Sequence, residues 1–141
     1  PYLKPIYDDA HFLIRMIWRR YGGWWDGEYD TLLPAGKAEL ARTWIDLSGG
    51  IDAVIARAES EFEERPEIAA HLIEAALHAA PDNPAVHAIR AKIYRARSAV
   101  QTASMPRNIF NHAALSSDAG VRDLASSALR PGMTAADEGK G

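Results

Sequence analysis

The chain has 141 residues, the length of one ordinary domain, and a domain of that size buries roughly two-thirds of the surface its unfolded chain exposes. With 48% apolar and 25% charged residues the composition is that of a globular protein, and a net charge of -3 supplies no general attraction to nucleic acid. The absence of cysteine excludes a disulfide framework, a thiolate zinc site and a cysteine nucleophile together.

The first predicted element is a helix over "AHFLIRMIWRRY", residues 10 to 21, with Leu13, Ile17 and Tyr21 on one stripe and Phe12 and Met16 beside it. It is apolar over most of its circumference, so it needs cover on several sides, and a partner is a natural source of part of that cover. Gly22 and Gly23 end the helix, since glycine takes up backbone angles that other residues avoid. A loop then carries Trp24, Trp25, Asp26 and Gly27 towards Leu33-Pro34. A second helix comes next over "AGKAELARTWIDLSGG", where Leu40, Ala41, Trp44, Ile45 and Leu47 recur at helical spacing and Gly49-Gly50 close it. In the third, "IDAVIARAESEFEER", the inward positions are Ile51, Val54 or Ile55, Ala58 and Phe62, with a row of glutamates outward.

Pro66 suits the first turn of a fourth helix that buries Ala69, Leu72, Ile73, Ala76 and Ala80. The turn "AAPDNPAVH" leads to a fifth, for which Asn83 is a cap and Pro84 a first residue, and which buries Val86, Ile89, Ile93, Ala96 and Val100. This pair resembles the adjoining helices of two tetratricopeptide repeats, but one unit does not make an array. Ser104-Met105-Pro106 starts a short sixth helix, "RNIFNHAAL". Ser117-Asp118 is placed to cap a seventh, "AGVRDLASSALR". The predicted fold is therefore all-α, a single domain over 1–130 built as a bundle of about six to seven helices with a tetratricopeptide-like hairpin, followed by a disordered polar tail over 131–141. No segment alternates with the period of a strand.

The candidate chemistry is sparse. His71, Glu74 and His78 share one face of the fourth helix, but the four-residue spacing by which two histidines reach one ion is absent, so no metal site is expected in this chain. Asp26, Glu28 and Asp30 cluster in the aromatic loop. General acid-base work needs a second positioned group that the sequence does not supply, so the loop reads as an Asp26-Gly27 turn with capping carboxylates. Residues 52–74 hold seven acids against two bases, and residues 87–107 hold five bases and no acid. Arg90, Lys92, Arg95, Arg97 and Arg107 do not gather into one stripe, which argues against a nucleic-acid partner. The longest apolar runs fall far short of the roughly 20 residues that span a bilayer, so no membrane partner is expected. The start of the chain has no secretory character, leaving the cytoplasm as the default location.

Taken in order, "RMIWRRYGGWWDG", "LLP", "WIDLSGGIDAVIARA", "AAHLIEAALHAAPDNPAVHAIRAKIY" and "MPRNIF" resemble the helical dimerisation domain of alkyl sulfatases, over about residues 2 to 115. The most specific parts are the aromatic-Asp-Gly loop after an Arg-Tyr helix end, the Gly-Gly-x-Asp start of the third helix, and Arg107-Asn108. The resemblance implies a module that pairs protomers and accompanies a catalytic domain of the metallo-β-lactamase superfamily. In that family a dinuclear zinc site uses an H-x-H-x-D-H motif, which this sequence lacks. The resemblance therefore implies a non-catalytic accessory subunit with no catalytic residue and no cofactor of its own. Zinc would sit in a separate metallo-β-lactamase-fold partner that hydrolyses a sulfate ester, another ester or an ether. Self-association is implied too. Tyr21, Trp24, Trp25, Asp26, Arg107 and Asn108 are then the candidates for the interface or the mouth of the partner's active site. The alternative is a stand-alone homodimeric interaction module with no enzyme attached.

Overall fold

The computed structural model describes residues 5–23 and 25–129; Trp24 and the tail expected over 131–141 lie outside the described residues. Seven α-helices and one short 3-10 helix make up the described chain, which contains no strand, in agreement with the all-α expectation. The order is α1 (Ala10–Gly22), a 3-10 turn (Tyr29–Thr31), α2 (Lys37–Leu47), α3 (Ile51–Glu61), α4 (Pro66–Ala79), α5 (Pro84–Ala99), α6 (Ser104–Asp118) and α7 (Leu124–Leu129).

The core forms around α4. Its alanines, Ala69, Ala70 and Ala76, are buried and let neighbouring helices approach closely, while Ile73 and Leu77 fill the space between them. Val54 and Ala58 of α3, Ile45 of α2, and Val86 and Ile93 of α5 close on this stripe. Each fully buried Ile or Leu contributes about 1.5–3 kcal/mol relative to exposure. The α4–α5 hairpin turns as the sequence predicts. Pro66 opens α4, and the Asn83 side chain accepts from the Ala85 and Val86 amides at 2.9 and 3.3 Å. Between α2 and α3, Gly49 and Gly50 take φ of +92° and +104°, and the Gly50 amide returns to the Ile45 carbonyl at 2.9 Å. An L side chain is strained at both angles.

Several expected placements change. The sixth helix is long, and Ser117-Asp118, expected to cap a seventh helix, instead end α6. Ser116 is buried with its hydroxyl bonded back to the His112 carbonyl, and Gly120 at φ +67° terminates α6. The cap of α7 is Asp123, which accepts from the Ala125 amide and the Ser126 hydroxyl. Glu61, expected outward with the other glutamates, is buried because Arg57 and Arg65 close over its carboxylate from positions four residues away on each side. Val100, expected inside, is 76% exposed, since α5 ends at Ala99 and Val100 falls in the turn. On α2 only Ala41 and Ile45 are buried; Leu40, Trp44 and Leu47 are exposed.

The basic residues of α5 are drawn into contacts with neighbouring helices. Arg90 is buried: its Nε donates to Glu74 of α4 at 2.7 Å, and its Nη1 donates to the Ala113 carbonyl and the Ser117 hydroxyl of α6, both at 2.9 Å. Its guanidinium also lies over the Tyr94 ring. Arg95 pairs with Asp118, Arg97 covers the Phe110 ring, and Lys92 reaches Glu59. These contacts, with a Ser98 hydroxyl bond to the Arg107 carbonyl at 3.0 Å, fasten α6 along α5.

Candidate functional site

Two regions hold the residues that the sequence singles out. The first is α1 with its following loop. Asp9 starts the helix by accepting from the His11 amide at 2.8 Å, and that amide bond holds the Asp9 carboxyl below the usual carboxylate range. Gly22 is the last helical residue. A Cβ there would meet the Trp18 indole at 3.1 Å, so glycine is what lets that ring lie across the helix end. Gly23 then leaves the helix at φ +88°.

No residue of α1 is buried, and α1 touches no other helix among the described residues. Ile14, Ile17, Trp18 and Tyr21 line a shallow apolar depression along it, and Tyr21 is 85% exposed. The chain before α1 is nonetheless anchored. The Ser104 and Met105 amides at the start of α6 donate to the Ile6 and Tyr7 carbonyls at 2.8 and 3.0 Å. The N-cap of α6 is Ala103, whose side chain cannot cap, and these two carbonyls satisfy donors it leaves open. So α1 begins beside the first turn of α6 and then runs free of the bundle.

The loop after α1 is folded upon itself. Trp25 donates from its indole to the Glu28 carbonyl at 2.8 Å and packs against the Tyr29 ring, remaining 37% exposed. Asp26 accepts from the Thr31 hydroxyl at 2.7 Å and from the Glu28 amide at 3.1 Å, with Gly27 at φ +93° completing the turn. The Thr31 hydroxyl first, and then the Glu28 amide, hold the Asp26 carboxyl below its ordinary range. A general acid needs the opposite shift, so Asp26 serves as the staple of the turn, as the Asp26-Gly27 reading expects. Trp24, placed with these residues by the sequence, lies outside the described residues.

The second region is the first turn of α6, where Arg107 and Asn108 are both exposed. The structure does not pack Arg107 and Asn108 against Tyr21, Trp25 or Asp26, because neither α1 nor the 3-10 turn touches α6. What relates the two regions is the Ile6-Tyr7 anchor.

Two carboxylates elsewhere, Glu74 and Asp123, are engaged. Glu74, the centre of the possible metal face, is committed to Arg90, and no group of three His, Asp or Glu side chains suited to a metal exists among the described residues. Burial, reinforced by the positive charge of Arg122, pulls His78 below its ordinary value. A dinuclear zinc site does not fit these donors. His112 pairs with Asp123 at 2.8 Å, and that bond is the largest cause holding the Asp123 carboxyl far below the usual range. No helix of the described residues is long and apolar enough to cross a membrane.

Sequence reasoning missed Ile14 and Trp18 as the exposed centre of α1, although their four-residue spacing was visible. It missed the exposed stripe of α2 because spacing alone cannot say which apolar residues of a helix find cover.

The described fold is a small helical module whose first helix leaves its apolar residues exposed. The sequence matches the alkyl sulfatase dimerisation family over residues 1–120, and the chain belongs to that family. It is 32% identical over 96 residues to a linear primary-alkylsulfatase of Pseudomonas sp. (strain ATCC 19151), an alignment covering 67% of this chain and 18% of that enzyme. Its fold is similar to part of the sec-alkyl sulfatase PisA1, solved as a double mutant. The TM-score is 0.78 and the identity 23%, over 84% of this chain and 19% of that one. The chain thus spans less than a fifth of the length of either relative.

Proposed function

We propose that the chain is a non-catalytic association module of an alkyl-sulfatase-type hydrolase: it pairs with a second copy and accompanies a catalytic unit of the metallo-β-lactamase fold. The observation that carries this reading is α1, which buries none of its residues and touches no other helix while exposing Ile14, Met16, Ile17, Trp18 and Tyr21. Exposed apolar surface of that extent on one helix is typical of an interface. Two of the candidate carboxylates are already held, Asp26 by its turn and Glu74 by Arg90, which supports placing catalysis and zinc in the partner.

Tyr21 and Trp25, with Trp24 by sequence, are the aromatic anchors expected of such an interface. Arg107 and Asn108 form a polar element at the start of α6, suited to the rim of the catalytic unit or the mouth of its active site. Family membership supports sulfate-ester hydrolysis as the activity of the assembly.

Sedimentation of the chain alone is the direct test. A dimer is expected at about 100 μM, well above the micromolar weak end for interfaces of standard size. A monomer at that concentration refutes the reading of self-association. Co-purification with a zinc-containing hydrolase unit tests the second half, and purified chain that fails to bind such a unit refutes it.

A further inference from the structure

We propose that self-association is an exchange of arms: α1 of each copy seats on the exposed apolar stripe of α2 in the other. The inference rests on the self-association reading above and assigns its two surfaces. Leu40, Trp44 and Leu47 stand at i, i+4 and i+7 on α2, at 44%, 57% and 74% exposure, while Ala41 and Ile45 hold the opposite side in the core. This is the spacing at which one helix receives another. On α1 the matching surface is Ile14, Ile17, Trp18 and Tyr21. Each stripe is a helix face with no cover among the described residues.

Charge selects this pairing over the alternatives. Helix α1 contains Arg15, Arg19 and Arg20 and no acid, and Arg15 and Arg19 run one turn apart along the Trp18 edge of its apolar face. On α2, Glu39 and Asp46 run along one edge of the Leu40-Trp44-Leu47 stripe; Arg42 lies further round on that side and Lys37 by the other edge, so the edge nearest the stripe is acidic where α1 has no acid at all. Arg15, Arg19, Glu39 and Asp46 are exposed, and none of the four forms an ion pair among the described residues. Seating α1 on the partner copy's α2 sets the arginines beside the acids. Pairing α1 with α1 sets arginines against arginines, and like charges across an interface are strongly disfavoured. Pairing α2 with α2 leaves α1 bare. The exchange also covers both stripes on both copies, which brings the contact towards the roughly 800 Å² per partner of a standard interface. Because each copy gives one arm and receives one, the assembly closes at two.

The chain has no cysteine, so introduced thiols report without background. Chains carrying Ile17→Cys are mixed with chains carrying Trp44→Cys and treated with a short bismaleimide. The expected product is a covalent dimer containing one chain of each kind. Predominant Ile17-to-Ile17 products, or an intrachain link in the doubly substituted protein, overturn the exchange. So does a sedimenting dimer that gives no mixed product, an outcome that leaves self-association standing; a monomer removes both. Independently, Arg15→Glu with Arg19→Glu should weaken the dimer by about tenfold, consistent with a few exposed charge pairs of modest strength each. Adding Glu39→Arg and Asp46→Arg to the same chain should restore it. Failure of restoration with helix content unchanged by circular dichroism counts against the exchange.

Discussion

Replacing Arg90 by alanine removes one guanidinium that ties three helices together, and the size of the loss depends on the groups left behind. Arg90 is 6% exposed and donates to Glu74 of α4 and to Ala113 and Ser117 of α6. Its removal strands a carboxylate and takes a donor from a buried hydroxyl and from a helix carbonyl at once. Breaking a buried ion pair on one side costs about 3–5 kcal/mol. The Glu74 side chain keeps 30% exposure, so water offsets part of its loss and the lower end, about 3 kcal/mol, applies. With a urea m-value near 2 kcal/mol/M, the unfolding midpoint should fall by about 1.5 M. Arg90→Lys should recover less than half of this, because a single ammonium cannot serve Glu74 and the two α6 acceptors in the fork geometry of arginine. Glu74→Met combined with Arg90→Met should be more stable than Arg90→Met alone, since no carboxylate is then stranded. Equilibrium urea unfolding followed by far-UV circular dichroism measures all four. A loss for Arg90→Ala below about 1 kcal/mol, the level of an exposed pair, would falsify the buried-clasp argument. The clasp bears on the proposed function because α6 carries Arg107 and Asn108, proposed above for the interface with the catalytic unit, and receives the anchor of α1.

Acid should release α7 before the bundle unfolds. The Asp123 carboxyl is held far below its ordinary value, so its stabilisation is complete above the unfolded value near 4, and it declines as pH falls below that value towards the folded one. Hydrogen exchange of the α7 amides between about pH 5 and pH 2 should show this, and Asp123→Ala should abolish the dependence. Tyr94 behaves oppositely. Burial, then the neighbouring Glu74 carboxylate, raises its phenol above the usual value near 10, so its contribution is complete below that pH and fades above it. Absorbance titration of Tyr94→Phe against the parent should lose the last tyrosine to ionise. Gly50→Ala, at φ +104°, should cost about 1–2 kcal/mol and leave the helix content of the folded state unchanged. A thermal midpoint equal to the parent's would contradict the strain argument.

Much of the architecture was legible because it depends on local chemistry. Gly49-Gly50, Pro66, Asn83 and Pro84 punctuate the chain with residues whose backbone preferences act over a few positions, and the helices begin and end by them. The aromatic-Asp-Gly loop was legible for the same reason: Asp26 closes its own turn through residues within five positions. The end of α6 was not, because Ser117-Asp118 has the chemistry of a cap but is held inside the helix by partners on α5. Those partners, Arg90 for Ser117 and Arg95 for Asp118, lie more than twenty residues away.

Helical type and most helix limits are thus properties the sequence determined by itself, since spacing and capping are short-range. The tertiary structure alone decided which apolar faces find cover. Val54, Ile73 and Ile93 meet in one core, while Ile14, Trp18, Leu40 and Trp44, equally apolar, stay open to solvent. Periodicity marks a face as apolar, but only the packing of the other helices determines whether anything remains to cover it.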